Sequence, residues 1–245
     1  MSTSPLLIEE TNLSNAWCKV LENILNSPGK EISPLLLTLT NFEESLKTRR
    51  ALDTHLKSNK MGSIQTVSET IFPDSLYQFC QRDRQTFYSE YLNNLPRIKK
   101  IDPNNRNGTY FERLIAYDGK NKKINQLDII ISSLASKSIK RRSKLQASIF
   151  DPAKDHTNKP FQGFPCLQHV TLFESENGGL ILNSFYAIQY LYQRAYGNWL
   201  GLINLGKFIA NELQMEFERF NCYVGVEQLD KLKKSDAKIL LEQTY

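Results

Sequence analysis

Apolar side chains recur three and four positions apart in five stretches of the chain, which is the spacing of an amphipathic helix. The five predicted helices are Asn15 to Leu25, Phe42 to Ser58, Tyr77 to Leu92, Ile124 to Leu134, and Gly197 or Asn198 to Leu213. Ser14 precedes the first helix in a position to cap it. The last stretch is apolar on more than one side, so we expect that helix to be buried.

Other stretches are shorter and either continuously apolar or alternating, as strands are. The predicted strands are Ile32 to Leu39, Ser63 to Ile71, Leu145 to Phe150, Leu167 to Phe173 and Leu180 to Ala187. Asn177-Gly178-Gly179 joins the last two as an antiparallel hairpin. This order of elements predicts an α+β fold with a mixed or antiparallel sheet covered by helices. No low-complexity linker interrupts it, which predicts a single domain over residues 1–245.

Composition adds an expectation about location and partners. No apolar run approaches ~18 residues, which predicts that no segment spans a membrane. The N-terminus lacks the basic region and long apolar core of a secretory signal, so we expect a cytoplasmic protein. Much of the formal net charge of +5 lies in three clusters: Lys47-Thr48-Arg49-Arg50, Arg97-Ile98-Lys99-Lys100 and Lys140-Arg141-Arg142-Ser143-Lys144. They indicate either a solvated surface or an anion site such as one for phosphate; no recognisable motif indicates nucleic acid.

The cysteines favour reduced thiols without a metal. Cys18, Cys80, Cys166 and Cys222 lie far apart with no C-x-x-C pair, which disfavours a zinc site. Cys166 follows Pro165 at the entrance of a predicted strand, where a side chain can face a cleft. Two interpretations stay open for it: a nucleophile, or a small buried apolar residue.

Four groups of residues share their order and spacing with a known family. The groups are Asn125-Gln126-Leu127 leading to Arg141-Arg142, then Pro165-Cys166, then Tyr192-Gln193-Arg194 running into Trp199-Leu200-Gly201-Leu202, and finally Gly225. Together they resemble the thymidylate synthase and pyrimidine hydroxymethylase superfamily. The resemblance covers roughly residues 110–230, about half of the chain, and implies a thymidylate-synthase-like fold.

The resemblance also implies a reaction and a set of site residues. Cys166 would be the nucleophile in methyl or hydroxymethyl transfer to C5 of a pyrimidine nucleotide, with methylenetetrahydrofolate as the one-carbon donor. Arg194 would bind the nucleotide from the same chain, whereas Arg141 and Arg142 would reach it from the partner subunit of a homodimer. Asn198 would read the ring edge, unless it is a helix N-cap.

Several family residues are replaced. Ala195 and Gly197 stand where the family has serine and aspartate. The family's asparagine falls on Leu205 beside Asn204, so either it is lost or the register slips by one, and Asn198 is a nearby substitute. Gln228 and Asp230 replace its His-x-Tyr; they are either ligand contacts or surface groups. The folate-closing tail has no counterpart. The alternative hypothesis is therefore a catalytically degenerate member that acts as a nucleotide-binding or interaction component.

The general acid or base of such a reaction has no clear candidate in the sequence. Glu69 and Glu90 are candidates by region alone. His169 lies three positions from Cys166 in the same predicted strand segment, so we expect its side chain on the opposite face of the sheet and not beside the thiol.

Overall fold

The structure is a computed structural model that describes residues 5–136, 138, 141–160 and 163–244. Lys140, the first residue of the third basic cluster, lies outside these ranges. The strands are β1 Leu6–Asn12, β2 Glu31–Ile32, β3 Leu35–Glu43, β4 Tyr117–Asp118, β5 Lys123–Ile124, β6 Gln146–Ser148, β7 Leu167–Glu174, β8 Leu180–Tyr190 and β9 Phe217–Gln228. The helices are α1 Leu13–Asn26, α2 Leu46–Ser58, α3 Ile64–Ile71, α4 Asp74–Phe79, α5 Arg84–Ile101, α6 Tyr110–Ile115, α7 Gln126–Ala135, α8 Pro152–Asp155, α9 Tyr196–Leu213 and α10 Lys234–Thr244.

The main sheet has seven strands in the order β1-β3-β9-β8-β7-β6, with β2 added beside β9. The pairs β1/β3 and β8/β9 are parallel and the others are antiparallel, so the sheet is mixed. The predicted α+β class and the hairpin between β7 and β8 are confirmed. Gly178 turns that hairpin with φ +82°, a conformation that suits glycine.

Helix α9 crosses the interior, where Trp199, Leu202, Leu205 and Ile209 are fully buried. The predicted burial of this helix on more than one side is confirmed. Its close neighbour is α3, and the two helices approach so closely because Gly201 has no side chain there. A Cβ at Gly201 would lie 2.7 Å from the backbone oxygen of Ser68. None of the described helices is long and apolar enough to cross a membrane.

The predicted strand from Ser63 to Ile71 is wrong, since these residues form α3. Ser63 caps the helix by accepting a hydrogen bond from Thr66 N at 3.1 Å. The buried side chains Ile64, Val67 and Ile71 recur at helical spacing. Apolar β-branched residues were read as a strand here, but packing against α9 selects the helix.

Several helix boundaries also differ from the prediction: α2 begins at Leu46 and not at Phe42, and α7 begins at Gln126 and not at Ile124. Asn12, and not Ser14, caps α1, because its side-chain oxygen accepts from the backbone N–H of Ser14 at 2.9 Å and of Asn15 at 3.1 Å. The predicted helix from Tyr77 to Leu92 is two helices, α4 and α5. They are separated by a turn in which Gln81 and Arg82 have positive φ angles of 54° and 61°.

The alternation of buried residues shifts by one position along β8 and β9. In β8 the buried positions from Leu182 to Tyr186 are even-numbered, and the next buried residue is Gln189. In β9 the same shift occurs between Val224 and Glu227. Gly225 lies at the shift, where a Cβ would be 2.7 Å from a backbone oxygen of β8. The shift turns two polar side chains, which strict alternation would expose, toward the interior.

Candidate functional site

A pocket of about 210 Å³ opens where the end of β8, the loop before β7 and the start of α6 meet. Its volume equals that of roughly seven water molecules in the liquid, which suits one small ring. The pocket is lined by Thr70, Asn105, Gly108, Thr109, Tyr110, Gly163, Phe164, Cys166, Ile188, Gln189, Tyr190, Arg194 and Asn198. Cys166, Arg194 and Asn198, three of the residues selected from the sequence, are thus brought together.

Cys166 stands immediately before β7, after the cis Phe164–Pro165 peptide. Its carbonyl oxygen accepts a hydrogen bond from Ala187 N at 3.1 Å, which fixes the backbone against β8. The side chain is partly buried. Burial raises the pKa of the thiol, while the charge of Arg194 acts in the opposite direction and is the weaker of the two. The thiol is therefore protonated at neutral pH in this arrangement.

Arg194 comes from a π-helical turn, Leu191–Ala195, that joins β8 to α9. Such turns insert an extra residue and are often found at functional sites. The side chain is exposed at the pocket, and no carboxylate of the described residues lies within ion-pair distance of it. The guanidinium group is available to bind an anion.

Asn198 is buried, with 6% of its surface exposed, and lines the pocket from the third residue of α9. The N-cap interpretation of this residue is wrong, because the helix and the preceding π-helical turn begin well before it. Its carboxamide makes no hydrogen bond within the described part of the chain. Both a donor and an acceptor therefore face the pocket region unpaired.

Gln189 is a pocket residue that the sequence did not reveal. Only 2% of its surface is exposed, and neither amide atom has a hydrogen-bond partner among residues 5–136, 138, 141–160 and 163–244. The predicted strand ended at Ala187, and simple alternation would have placed Gln189 on the outer face. The alternation of buried and exposed residues shifts at Gly225 and its β8 neighbour Ala187, and this shift places Gln189 inside the fold. No local residue pattern signals the shift.

Tyr110 connects the pocket wall to the loop that carries the cysteine. Its ring packs against that of Phe164, with the two ring centroids 5.2 Å apart. Burial raises the pKa of Tyr110, so the phenol stays neutral. The side chain therefore acts as a fixed brace for the start of β7.

Arg141 and Arg142 do not line this pocket. Arg142 is exposed and lies over the ring of Phe173, with 5.2 Å from its guanidinium carbon to the ring centroid. Arg141 lines a separate shallow surface depression together with Ser136 and Lys144. Within one chain, the structure places the arginine pair away from Cys166.

Gln228 and Asp230 also lie outside the pocket. The side-chain nitrogen of Gln228 donates to Glu31 Oε1 at 2.7 Å, which is a surface contact. Asp230 has φ +64°, and its Oδ2 atom is buried without a partner in the described ranges. Neither side chain contacts the pocket that holds Cys166.

The candidate acids and bases are elsewhere too. Glu69 Oε1 accepts from Gln65 Nε2 at 2.7 Å and from Ser75 Oγ at 2.7 Å, on the surface. Neither Glu69 nor Glu90 lines the pocket. His169 stacks on Phe185 on the other face of the sheet, with ring centroids 5.8 Å apart, so the expectation that it does not serve Cys166 is confirmed. The described residues contain no group of three or more metal-ligating side chains.

Packing explains one departure from the family pattern. Gly197 stands where the family has aspartate, and a Cβ there would lie 2.6 Å from Val67 Cβ and 2.8 Å from the backbone oxygen of Ile64. α3 thus occupies the space that the aspartate side chain would need. Leu205, at the position of the family's asparagine, is fully buried and does not line the pocket.

No protein-family model matches the chain, and no curated protein matches it either.

Proposed function

We propose that this protein is a divergent thymidylate-synthase-like protein whose pocket binds a pyrimidine nucleotide. The observation that carries the proposal is that Cys166, Arg194 and Asn198 line one ring-sized pocket. The resemblance implies Cys166 and Arg194 as site residues, and Asn198 is a nearby substitute for the family's ring-reading asparagine.

The chemistry of the pocket supports a ligand with an uncharged ring and an anionic group. Arg194 offers a planar guanidinium at the exposed edge, which suits a phosphate. Asn198 and Gln189 are buried carboxamides deeper in the wall, each with a donor and an acceptor. A nucleotide has its anionic group at one end and its hydrogen-bonding ring edge at the other, which matches an arginine at the pocket edge and carboxamides deeper in its wall.

The proposed ring and anionic group use the lining of the pocket, and no lining residue is assigned to methylenetetrahydrofolate. Binding of the nucleotide, rather than one-carbon transfer, is the function that we place first.

A reaction at C5 of the pyrimidine is the second candidate, favoured by the place of Cys166 in the pocket wall. The Cys166 thiol would first give its proton to water, its sulfur would bond to C6 of the ring, and the electron pair of the C5–C6 double bond would move to C5. C5 could then exchange its proton with water before the sulfur leaves. Methyl or hydroxymethyl transfer would use the same activated C5.

We also propose a homodimer, because Arg141 and Arg142 are too far from their own pocket to serve it. The side chains of His169, Phe185 and Tyr223 lie on the uncovered face of the sheet, the open sheet face. The Phe185 and Tyr223 rings stack at 5.1 Å and remain partly exposed. Arg142 rests on Phe173 and so could reach a second chain that packs on this face.

Nucleotide binding is tested by calorimetry with dUMP and dCMP. Wild-type protein is expected to bind at least one of them. Arg194→Gln is expected to lower the affinity by about 10- to 100-fold, since a charge-assisted hydrogen bond contributes about 1.5–3 kcal/mol. Arg97→Gln, an exposed arginine on α5 outside the pocket, is the matched control. Equal affinities in both variants would remove Arg194 from the site.

The second candidate is tested by tritium release from C5-labelled dUMP or dCMP, with and without methylenetetrahydrofolate. Release above that of a Cys166→Ala variant supports thiol addition. Binding without any release leaves the protein as a nucleotide-binding component.

The dimer is tested by mixing two variants, each of which lacks part of the arginine set of the proposed nucleotide site. An Arg141→Ala/Arg142→Ala double variant and an Arg194→Gln variant should each bind nucleotide weakly. A mixed dimer would contain one pocket with all three arginines and should regain tight binding at up to half of the sites. No recovery in a mixture shown to exchange subunits would reject the trans role.

A further inference from the structure

Gln189 in β8 lines the pocket and has a buried polar neighbour, Glu227, on β9. The two residues are register partners in the parallel pair. Both lie just past the alternation shift, which turns them toward the helix-covered side of the sheet. Glu227 lies beside Gln189 and is not one of the lining residues; the two together are called the pocket floor.

The polar atoms of this floor are unpaired. Gln189 is 2% exposed and Glu227 is 0% exposed. Both amide atoms of Gln189 and both carboxylate oxygens of Glu227 lack a hydrogen-bond partner in the portion of the chain that is described. The hydroxyl of Tyr186, which lies close enough to feel the charge of Glu227, is buried and unpaired in the same portion.

Such a concentration of unpaired groups is unusual in a folded interior. More than about 90% of buried polar groups in proteins have a partner, because leaving one unmade opposes folding. Of the twelve buried side-chain atoms without a partner in the described ranges, five belong to Gln189, Glu227 and Tyr186, and the other seven are distributed over seven residues. The half-buried Gln126 side chain, by contrast, donates to the carbonyl oxygens of Arg113 and Ser148 at 2.8 Å and accepts from Ser148 N at 2.9 Å.

We propose that Gln189 is the ring-reading residue of the pocket and that Glu227 positions its carboxamide. The inference rests on the proposed nucleotide function and assigns the substrate contact to a residue outside the resemblance. The ligand class is a pyrimidine-type ring whose edge carries a hydrogen-bond donor next to an acceptor. A carboxamide offers both complements, and the low-dielectric floor strengthens the pairing.

The geometry favours Gln189 over Asn198 for this contact. Gln189 lies on a strand fixed on both sides by the sheet, and its side chain is the more deeply buried of the two. Both orientations of its amide are chemically possible, one for a uracil-type edge and one for a cytosine-type edge. Glu227 lies beside Gln189 in register, and its carboxyl, which is likewise unpaired in the described ranges, would hold one of these orientations.

Glu227 suits a positioning role because its carboxyl can both donate and accept when neutral. Burial raises the pKa of Glu227 well above its ordinary value, so the neutral acid is the form at neutral pH. Replacement by glutamine keeps the shape and alters which atoms donate. Glu227→Gln should therefore change the preference between dUMP and dCMP while leaving the fold in place.

The experiment compares the unfolding midpoint without ligand and the affinities for dUMP and dCMP in four proteins: wild type, Gln189→Met, Glu227→Gln and Gln126→Met. Gln189→Met removes unpaired polar atoms from the interior, so its midpoint without ligand should rise by about 2–4 °C. Its affinity for the nucleotide that the wild type binds should fall by about 10- to 100-fold. Gln126→Met, the matched control, should lower the midpoint and keep the affinity.

The outcomes separate this inference from the proposed function. A wild type that binds neither nucleotide rejects the proposed function, and the ring assignment falls with it. Nucleotide binding that survives unchanged in Gln189→Met rejects the ring assignment alone. If Gln189→Met does not fold, Gln189→Asn is used, which keeps the amide but withdraws it by one methylene; unchanged affinity there also overturns the assignment. An unaltered dUMP to dCMP ratio in Glu227→Gln removes the positioning role.

Discussion

Two buried polar regions flank the cysteine, and they are built in opposite ways. One is the anchor beneath the loop before β7, which we define by Arg113, Asp151 and Asp155. The other is the pocket floor of Gln189 and Glu227. The anchor pairs its charged groups with each other and with the backbone, whereas the floor leaves its polar atoms unpaired in the described part of the chain.

The anchor shows what a stabilising polar cluster looks like in this protein. Arg113 Nη2 lies 2.8 Å from Asp155 Oδ1, and its Nη1 donates to Ile149 O at 3.4 Å. Asp155 also accepts from the backbone N–H of Asp151 at 2.7 Å. The guanidinium carbon lies 5.5 Å from the centroid of the Phe164 ring, so the cluster holds the residues that lead to the cysteine.

The difference teaches how stability and binding are divided. A buried ion pair with satisfied hydrogen bonds fixes a loop, while unpaired polar groups oppose folding and are retained where a ligand can complete them. The same interior therefore contains one region that serves the fold and one that we assign to a ligand.

The largest expected effect comes from breaking the anchor. Arg113→Met should lower the free energy of unfolding by about 3–5 kcal/mol, because it leaves Asp155 buried and uncompensated. Urea unfolding measures the loss. Lys99→Met, which breaks the more exposed pair with Glu112 at 2.8 Å, is the control and should cost about 1 kcal/mol or less. Similar losses of unfolding free energy in both variants would show that the anchor stabilises the fold no more than the exposed pair does.

Gly197 offers the next effect in size and probes the close approach of α3 and α9. Gly197→Ala should cost about 1–3 kcal/mol, since α3 must move to admit the new atom. Gly62→Ala is the matched control, because the nearest atom to a Cβ there is 3.9 Å away. Urea unfolding of both variants decides the matter, and a neutral or stabilising Gly197→Ala would contradict the close approach of the helices.

The buried carboxyl of Glu227 should make the free energy of unfolding depend on pH. At neutral pH this effect should be smaller than those of the two substitutions above. Burial raises its pKa above the ordinary value of 4.5, so above pH 4.5 the native state keeps a proton that the unfolded chain loses. The free energy of unfolding should therefore fall as the pH rises above 4.5. Tyr186 and Cys222 are the neighbouring titratable groups, and burial raises their pKa values as well, so they stay neutral with it.

The measurement for Glu227 is a series of urea unfolding curves from pH 5 upward, compared with Glu227→Gln. The variant should lose the decline with pH that the carboxyl causes. Glu31→Gln, on the surface beside Gln228, is the control and should leave the pH profile unchanged. Parallel profiles in wild type and Glu227→Gln would contradict a buried neutral carboxyl.

The smallest effect on stability is expected at Arg142. Its contact with Phe173 is exposed, so Arg142→Ala should change the free energy of unfolding by about 0.5–1 kcal/mol at most. If Arg142 serves a partner's pocket, the substitution should weaken the free energy of nucleotide binding by more than it lowers the free energy of unfolding. A loss of stability without any loss of affinity would leave Arg142 as a surface residue.

The sequence predicted the parts of the site that depend on spacing along the chain. Cys166 follows from the strand entrance and Arg194 from the resemblance, and the hairpin between β7 and β8 was readable from its turn. It missed what depends on packing between distant segments. α3 is a helix because its apolar side packs against α9. Gln189 points inward because the alternation of buried residues shifts in both β8 and β9 near Gly225.

The most direct measurement of the central claim is a crystal structure of the protein with dUMP or dCMP, whichever binds more tightly. The account predicts the phosphate at Arg194, the ring beside Cys166 and the ring edge paired with Gln189. A nucleotide bound elsewhere, for instance at the surface depression of Arg141 and Lys144, would contradict it, and so would a pocket that stays free of nucleotide at saturating concentration.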